Sequence, residues 1–301
     1  MKQFLGRQDA NPEKADNLGR TALLYATIKG KELVVKQLLS RQDVHPDRPD
    51  YSGITPLIEA AHGGHESVVK QFLARKDVNP DKPDNEGRTA LSYAAFSGKE
   101  SVVKQLLNRQ DVNPEMSDNK GKTSLSYAAI NGKELVVQQL LNHQDVNPDK
   151  QDNEGKTALS YAAIAGKELV VKQLLGRQDV NPDQPDCDGI TPLIEAAYGG
   201  HESVVKQFLD RQDVNPDKPD SGGRTPLSFA AMQGHELVVK LLLDRPDVNP
   251  YMPDASGNIP LYYAFIQDHE AVVNLLQAWQ SPTPVPFAVG QLWASLPSST
   301  H

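Results

Sequence analysis

Residues 84–117 read DNEGRTALSYAAFSGKESVVKQLLNRQDVNPEMS, and the same pattern recurs along nearly the whole chain. Gly19, Gly53, Gly87, Gly121, Gly155, Gly189, Gly223 and Gly257 fall 34 residues apart. A threonine follows each of the first seven by two residues, from Thr21 to Thr225, and Ile259 takes the eighth place. An aspartate precedes each glycine by three, from Asp16 to Asp254. A fixed period with no insertion is the signature of a repeat architecture, and it outweighs what length alone suggests about domain number.

Each unit holds two short helical patterns. Thr89 is a good N-cap, and Pro56, Pro192 and Pro226 directly follow the equivalent threonine, where a missing N–H costs nothing. The first helix is expected to end near Gly98 and the second to run from about Lys99 to Asn108. Val102, Val103, Leu106 and Leu107 make one apolar stripe at helical spacing. Glu100 precedes Lys104 by four residues. Glu32–Lys36, Glu66–Lys70, Glu168–Lys172, Glu202–Lys206 and Glu236–Lys240 repeat that spacing, which predicts a few tenths of a kcal/mol per pair. The linker DVNP and the following Pro, Asp, Asn and Gly are turn chemistry. A lone unit cannot bury its stripe, whereas stacked neighbours bury it jointly, so the sequence predicts an elongated array.

The chain has 301 residues, with 31 Lys plus Arg against 39 Asp plus Glu, a net charge of −8 and a mean hydropathy of −0.51. That balance argues against nucleic acid and membrane surfaces as main partners, because both reward concentrated positive charge. No apolar run approaches the roughly 20 residues of a membrane span, and the first residues lack a secretory core. Cys187 is the one cysteine, so no intrachain disulfide forms, and a reducing, cytoplasmic setting is expected.

Aspartate, Gly-x-Thr-Pro-Leu, Ala-Ala, Gly-His and the Val-Val-Lys-x-Leu-Leu helix together resemble the ankyrin repeat, most closely in GITPLIEAAHGGHESVVKQFL at residues 53–73. The resemblance covers about residues 1–280. It implies an all-α solenoid of eight helix-turn-helix units (16–280), preceded by a half unit (1–15) and followed by a Pro-rich apolar tail (281–301). The unit departs from the family in its length of 34 residues, in Ser92 or Ile58 where a histidine is usual, and in lacking the glycine that ends the second helix. The last departure leaves the loop geometry open. Residues 1–15 align with the second half of a unit, so no polar unit caps the start. At the other end Asp268 replaces a glycine, and Phe287, Leu292, Trp293 and Leu296 make the tail apolar enough to dock on the array or on a neighbouring chain.

The resemblance also implies a concave groove lined by the first helices and the turn tips. Its tip positions are Arg20, Ile54, Arg88, Lys122, Lys156, Ile190, Arg224 and Asn258. The residues before Ala-Ala are Tyr25, Glu59, Tyr93, Tyr127, Tyr161, Glu195, Phe229 and Tyr263. Those after it are Ile28, His62, Phe96, Ile130, Ile164, Tyr198, Met232 and Ile266. Two readings of this aromatic strip stand together, packing between first helices and a binding surface.

Glu59 and Glu195 replace aromatics, so apolar surroundings are expected to raise their pKa. His62 lies one turn from Glu59, and Tyr198 one turn from Glu195. Four stacked helices put the two glutamates roughly 30–40 Å apart, too far for a carboxylate pair. Residues 53–86 and 189–222 differ at five of 34 positions, so the second glutamate reads as a duplicated feature. His62 and His65 lack a third ligand, the DVNPD loop lacks the glycine and bidentate glutamate of a calcium loop, and no phosphate-binding or nucleophile motif is present. No metal and no cofactor is expected.

The favoured function is a non-catalytic scaffold gripping a protein partner in the groove. The alternative is a hydrophobic small-molecule binder or an acid–base cyclase or isomerase. It would act on a polyketide- or terpene-like substrate through Glu59 or Glu195, with His62 and Tyr198 beside them. A third reading is a homo-oligomer formed through the uncapped start or the tail.

Overall fold

The computed structural model describes residues 11–279, and among these it contains sixteen α-helices. Two expectations lie outside the described residues: the outer helix of the half unit, over residues 1–10, and the docking of residues 281–301.

The helices alternate along the chain. The first pair is α1 (Ala22–Ile28) and α2 (Glu32–Leu39), and the last is α15 (Pro260–Ile266) and α16 (Glu270–Ala278). First helices pack on first helices of the adjacent repeats, second on second, and the two within a repeat pack on each other. The result is a solenoid of eight repeats with one continuous apolar core. Val102, Val103, Leu106 and their equivalents are buried, as are both alanines of every Ala-Ala pair from residue 60 to 231. Alanine there lets first helices approach closely. Phe72 and Phe208 are the largest side chains with no exposure.

Local chemistry fixes the helix starts. The side chain of each threonine, from Thr21 to Thr225, accepts a hydrogen bond from the third helical N–H. At Thr123, Thr157 and Thr225 a serine three residues on returns the bond as a capping box. Ile259 supplies no such bond to α15.

The second helices of repeats one to seven end in right-handed conformation, without a left-handed glycine cap; even Gly176, at the end of the fifth, is right-handed. Their last carbonyl is met from the following repeat instead. Arg75 Nη1 donates to Leu39 O at 2.7 Å, Arg109 to Leu73 O at 3.1 Å and Arg177 to Leu141 O at 2.7 Å, and Arg211 and Arg245 bond Leu175 O and Leu209 O. An aspartate two residues on holds each guanidinium, as Asp77 holds Arg75. His143 occupies the arginine position of the fourth repeat. This answers the open loop geometry: a cationic donor from the neighbour replaces the local glycine cap.

The turn tips are joined by one backbone bond per repeat, exemplified by Asn85 N to Ser52 O at 3.0 Å and Asn119 N to Glu86 O at 2.9 Å. Gly87 makes this approach possible. Its φ is +84°, and a Cβ there would stand 2.7 Å from Asn119 Oδ1 and 2.8 Å from Asn119 N. The DVNPD loops form a second ladder, in which Asp47, Asp81, Asp149, Asp183 and Asp217 each accept the backbone N–H of the asparagine one repeat on. Glu13 makes the same contact with His45 N at 3.0 Å.

The surface Glu–Lys spacings behave differently from expectation. Among the described residues only Glu236–Lys240 closes to an ion pair, at 2.5 Å. The other pairs leave both side chains in water, where exposed attraction does not offset the ordering of two long side chains.

Candidate binding surface

The three predicted rows do not share one environment. The tyrosines before Ala-Ala are anchored. Tyr25, Tyr93 and Tyr127 donate their hydroxyls to Asp16, Asp84 and Asp118 at 2.7, 2.8 and 2.5 Å, and Tyr161 and Tyr263 do the same to Asp152 and Asp254. The other carboxylate oxygen of each aspartate accepts two tip N–H groups, as Asp84 Oδ1 does from Glu86 and Arg88. Each tyrosine therefore closes its own repeat's turn onto its first helix. Burial first, and then the aspartate bond, pushes the Tyr93, Tyr127 and Tyr161 phenols far above the ordinary value and Tyr263 to about 12. They remain hydroxyl donors throughout the physiological range. Tyr161 and Phe229 are buried, while Tyr25 is exposed.

The tip cations are also engaged. Arg20, Arg88 and Arg224 bond the aspartate of their own tip and lie 4.7–4.9 Å from the centroids of the Tyr25, Tyr93 and Phe229 rings. Lys122 places Nζ 4.7 Å from the Tyr161 centroid. Lys156 reaches forward to Asp186 of the next repeat at 2.7 Å.

The row after Ala-Ala is the accessible one. His62, Phe96, Ile164, Tyr198 and Ile266 are exposed, and Ile28, Ile130 and Met232 half-buried. Members of this row touch the ring before Ala-Ala in the next repeat edge-on: His62 on Tyr93 at 5.6 Å, Phe96 on Tyr127 at 6.2 Å and Tyr198 on Phe229 at 6.1 Å. The rings interleave from repeat to repeat and leave one apolar row open to solvent.

Repeats two and six interrupt the anchored row before Ala-Ala. Glu59 and Glu195 stand where a tyrosine would meet the tip aspartate, and Ile54 and Ile190 stand where the cation would be. Burial raises the carboxyl pKa of both glutamates. Asp50 adds to the rise at Glu59, which His62 opposes, and Asp186 adds to it at Glu195, which Lys156 opposes. In repeat six the Lys156 ammonium fills the gap on Asp186. In repeat two Arg20 stays on its own Asp16. The paired change, tyrosine to glutamate together with cation to isoleucine, was visible as a covariation between units.

His62 and His65 do not converge. His62 Nδ1 meets Ser97 Oγ of the next repeat at 2.9 Å, and His65 Nε2 meets Ile28 O of the preceding one at 3.3 Å. Among the described residues no group of three or more His, Cys, Asp or Glu side chains is placed to hold a metal. Nor is any helix of the described residues long and apolar enough to cross a membrane.

The family model for ankyrin repeats in three copies matches residues 1–80, 33–116, 100–185, 125–220, 169–252 and 200–282, so the chain belongs to the ankyrin-repeat family. Repeats of this family serve in general as protein-interaction scaffolds. No curated protein shows a significant match to the chain.

Proposed function

We propose that this protein is a non-catalytic scaffold that grips a protein partner along the row after Ala-Ala, with the anchored tyrosines as supports behind it. The observation that carries the reading is the run of exposed Phe96, Ile164 and Tyr198 one or two repeats apart, on helices whose other apolar residues are buried. Single exposed apolar residues are ordinary, whereas a row of them held on rigid elements suits a partner that spans several repeats. Tyrosine and phenylalanine on such a row are effective anchors.

The test compares proteins co-purifying with the wild type, with Phe96→Ala/Ile164→Ala/Tyr198→Ala, and with Leu135→Ser/Leu169→Ser on the second helices. Loss of the bound set only in the first variant, at an unchanged melting temperature, supports the reading. Retention of that set in the first variant refutes it.

One observation favours the catalytic alternative, namely the raised proton affinity of the half-buried Glu59 and Glu195. A carboxyl whose proton affinity is raised by burial suits the general-acid part of a rearrangement of a hydrophobic substrate.

A further inference from the structure

The two ends of a repeat are not alike, and the last repeat shows it. Ser92, at the third position of its helix, sets Oγ 3.4 Å from Ser124 Oγ of the next repeat, so this position faces forward along the stack. Ala95, three residues on, shares that face and is fully buried. The equivalent pairs Ser126/Ala129, Ser160/Ala163 and Ser228/Ala231 are equally covered. In the last repeat the pair is Tyr262 and Phe265. Phe265 is 53% exposed, and Leu261 and Val273 are half-exposed although their counterparts Leu227 and Val239 are fully buried.

This face is not shaped for another repeat in the same geometry. Phe265 stands where every preceding repeat has Ala or Thr to admit the next first helix, and Tyr262 where they have Ser, Leu or Ile. The glycines after the first helices of repeats one to seven have positive φ, and a Cβ on them would fall 2.6–3.0 Å from the next repeat's His or Lys side chain. The eighth position is Asp268, at φ 58°. A ninth helix pair, or the first repeat of a second copy stacked head to tail, would meet that side chain as well as Tyr262 and Phe265.

The chain itself supplies a better occupant. In every other repeat the segment after the second helix leads into the first helix of the next repeat, which stands on the forward face. Trp279, just after α16, packs its ring 6.1 Å from Tyr251 of the preceding connecting loop, and residues 280–301 follow it in the sequence. Their sequence SPTPVPF fixes φ at three prolines without demanding helical partners, and Phe287, Leu292, Trp293 and Leu296 follow. Extended, 22 residues reach about 70 Å, and a helix pair is about 20 Å across. We propose that residues 281–301 fold back over the forward end of the stack and cover Leu261, Tyr262, Phe265 and Val273, a non-repeat cap in place of a polar capping unit.

The experiment uses the full chain with Trp279→Phe, which leaves Trp293 as the sole tryptophan. The expected result is blue-shifted emission and acrylamide quenching several-fold weaker than in denaturant. Tyr262→Ser/Phe265→Ala, the residues that repeats three, four, five and seven carry, should move both readings to the denatured values with the helical circular dichroism intact. Leu292→Ser/Leu296→Ser should do the same from the other side of the contact, and decides the matter should the first variant lose helicity. Trp293 quenched as freely in the native protein as in denaturant overturns the proposal, as does protection indifferent to both variants. Protection that disappears on dilution together with a heavier sedimenting species assigns the face to a second copy and also overturns it.

Discussion

Tyr161→Phe isolates the anchoring role of the tyrosine row. Tyr161 is 8% exposed, and its hydroxyl is the only side-chain donor to Asp152 Oδ2 among the described residues, because Lys156 is committed to Asp186. Removing one oxygen leaves a buried carboxylate oxygen without its donor and opens no cavity. Hydrogen bonds to charged groups contribute about 1.5–3 kcal/mol, so a loss of about 2 kcal/mol is expected. At Tyr93 the same change should cost about 1 kcal/mol or less, because Arg88 still bonds Asp84 through Nε and Nη2 at 2.9 and 2.8 Å. Tyr198→Phe, whose hydroxyl has no partner among the described residues, should cost nothing measurable. Urea unfolding of the three variants gives the order, and hydrogen exchange at the Glu154 and Lys156 amides, which Asp152 also binds, localises the effect. A Tyr161→Phe protein as stable as the Tyr93→Phe protein, or tip amides that exchange as in wild type, would refute the anchoring argument.

Two further predictions follow from the same structure. Thr157→Ala removes a fully engaged capping box and should cost about 1 kcal/mol, while Ile259→Thr should add about 0.5–1 kcal/mol by giving α15 the bond it lacks; thermal melts of both check the pair. Burial raises the Asp217 carboxyl to about 6, above its unfolded value, so its contribution is fully present below about pH 4 and is lost as pH rises through about 6. Asp217→Asn should therefore be relatively more stable than wild type at pH 7 than at pH 4; denaturant midpoints that differ by the same amount at both values would contradict it.

The features that were plain in the sequence are those decided within a few residues. Thr89, Gly98 and the Val102–Leu106 stripe set helix start, stop and buried side by rules of short range, and all three lie where expected. What stayed hidden depends on neighbours. Arg75 caps a carbonyl 36 residues earlier, a partner that only the stacking distance supplies. The tyrosine before Ala-Ala and the residue after it look equally suited to a groove, yet the first reaches an aspartate nine residues back, and that bond makes it structural. The Glu–Lys spacings were legible but weak, since water competes successfully for exposed charges.

His143 gives the stack an uneven grain. At five junctions a guanidinium from one repeat is bolted to the last carbonyl of the repeat before it, and an aspartate locks it there. Between the third and fourth repeats the shorter imidazole of His143 stands at that position, and between the seventh and eighth the indole of Trp279. Under a pulling force, or during partial melting, the rod should part first at these two seams, shedding its last repeat and splitting internally after the third rather than fraying evenly from its tips.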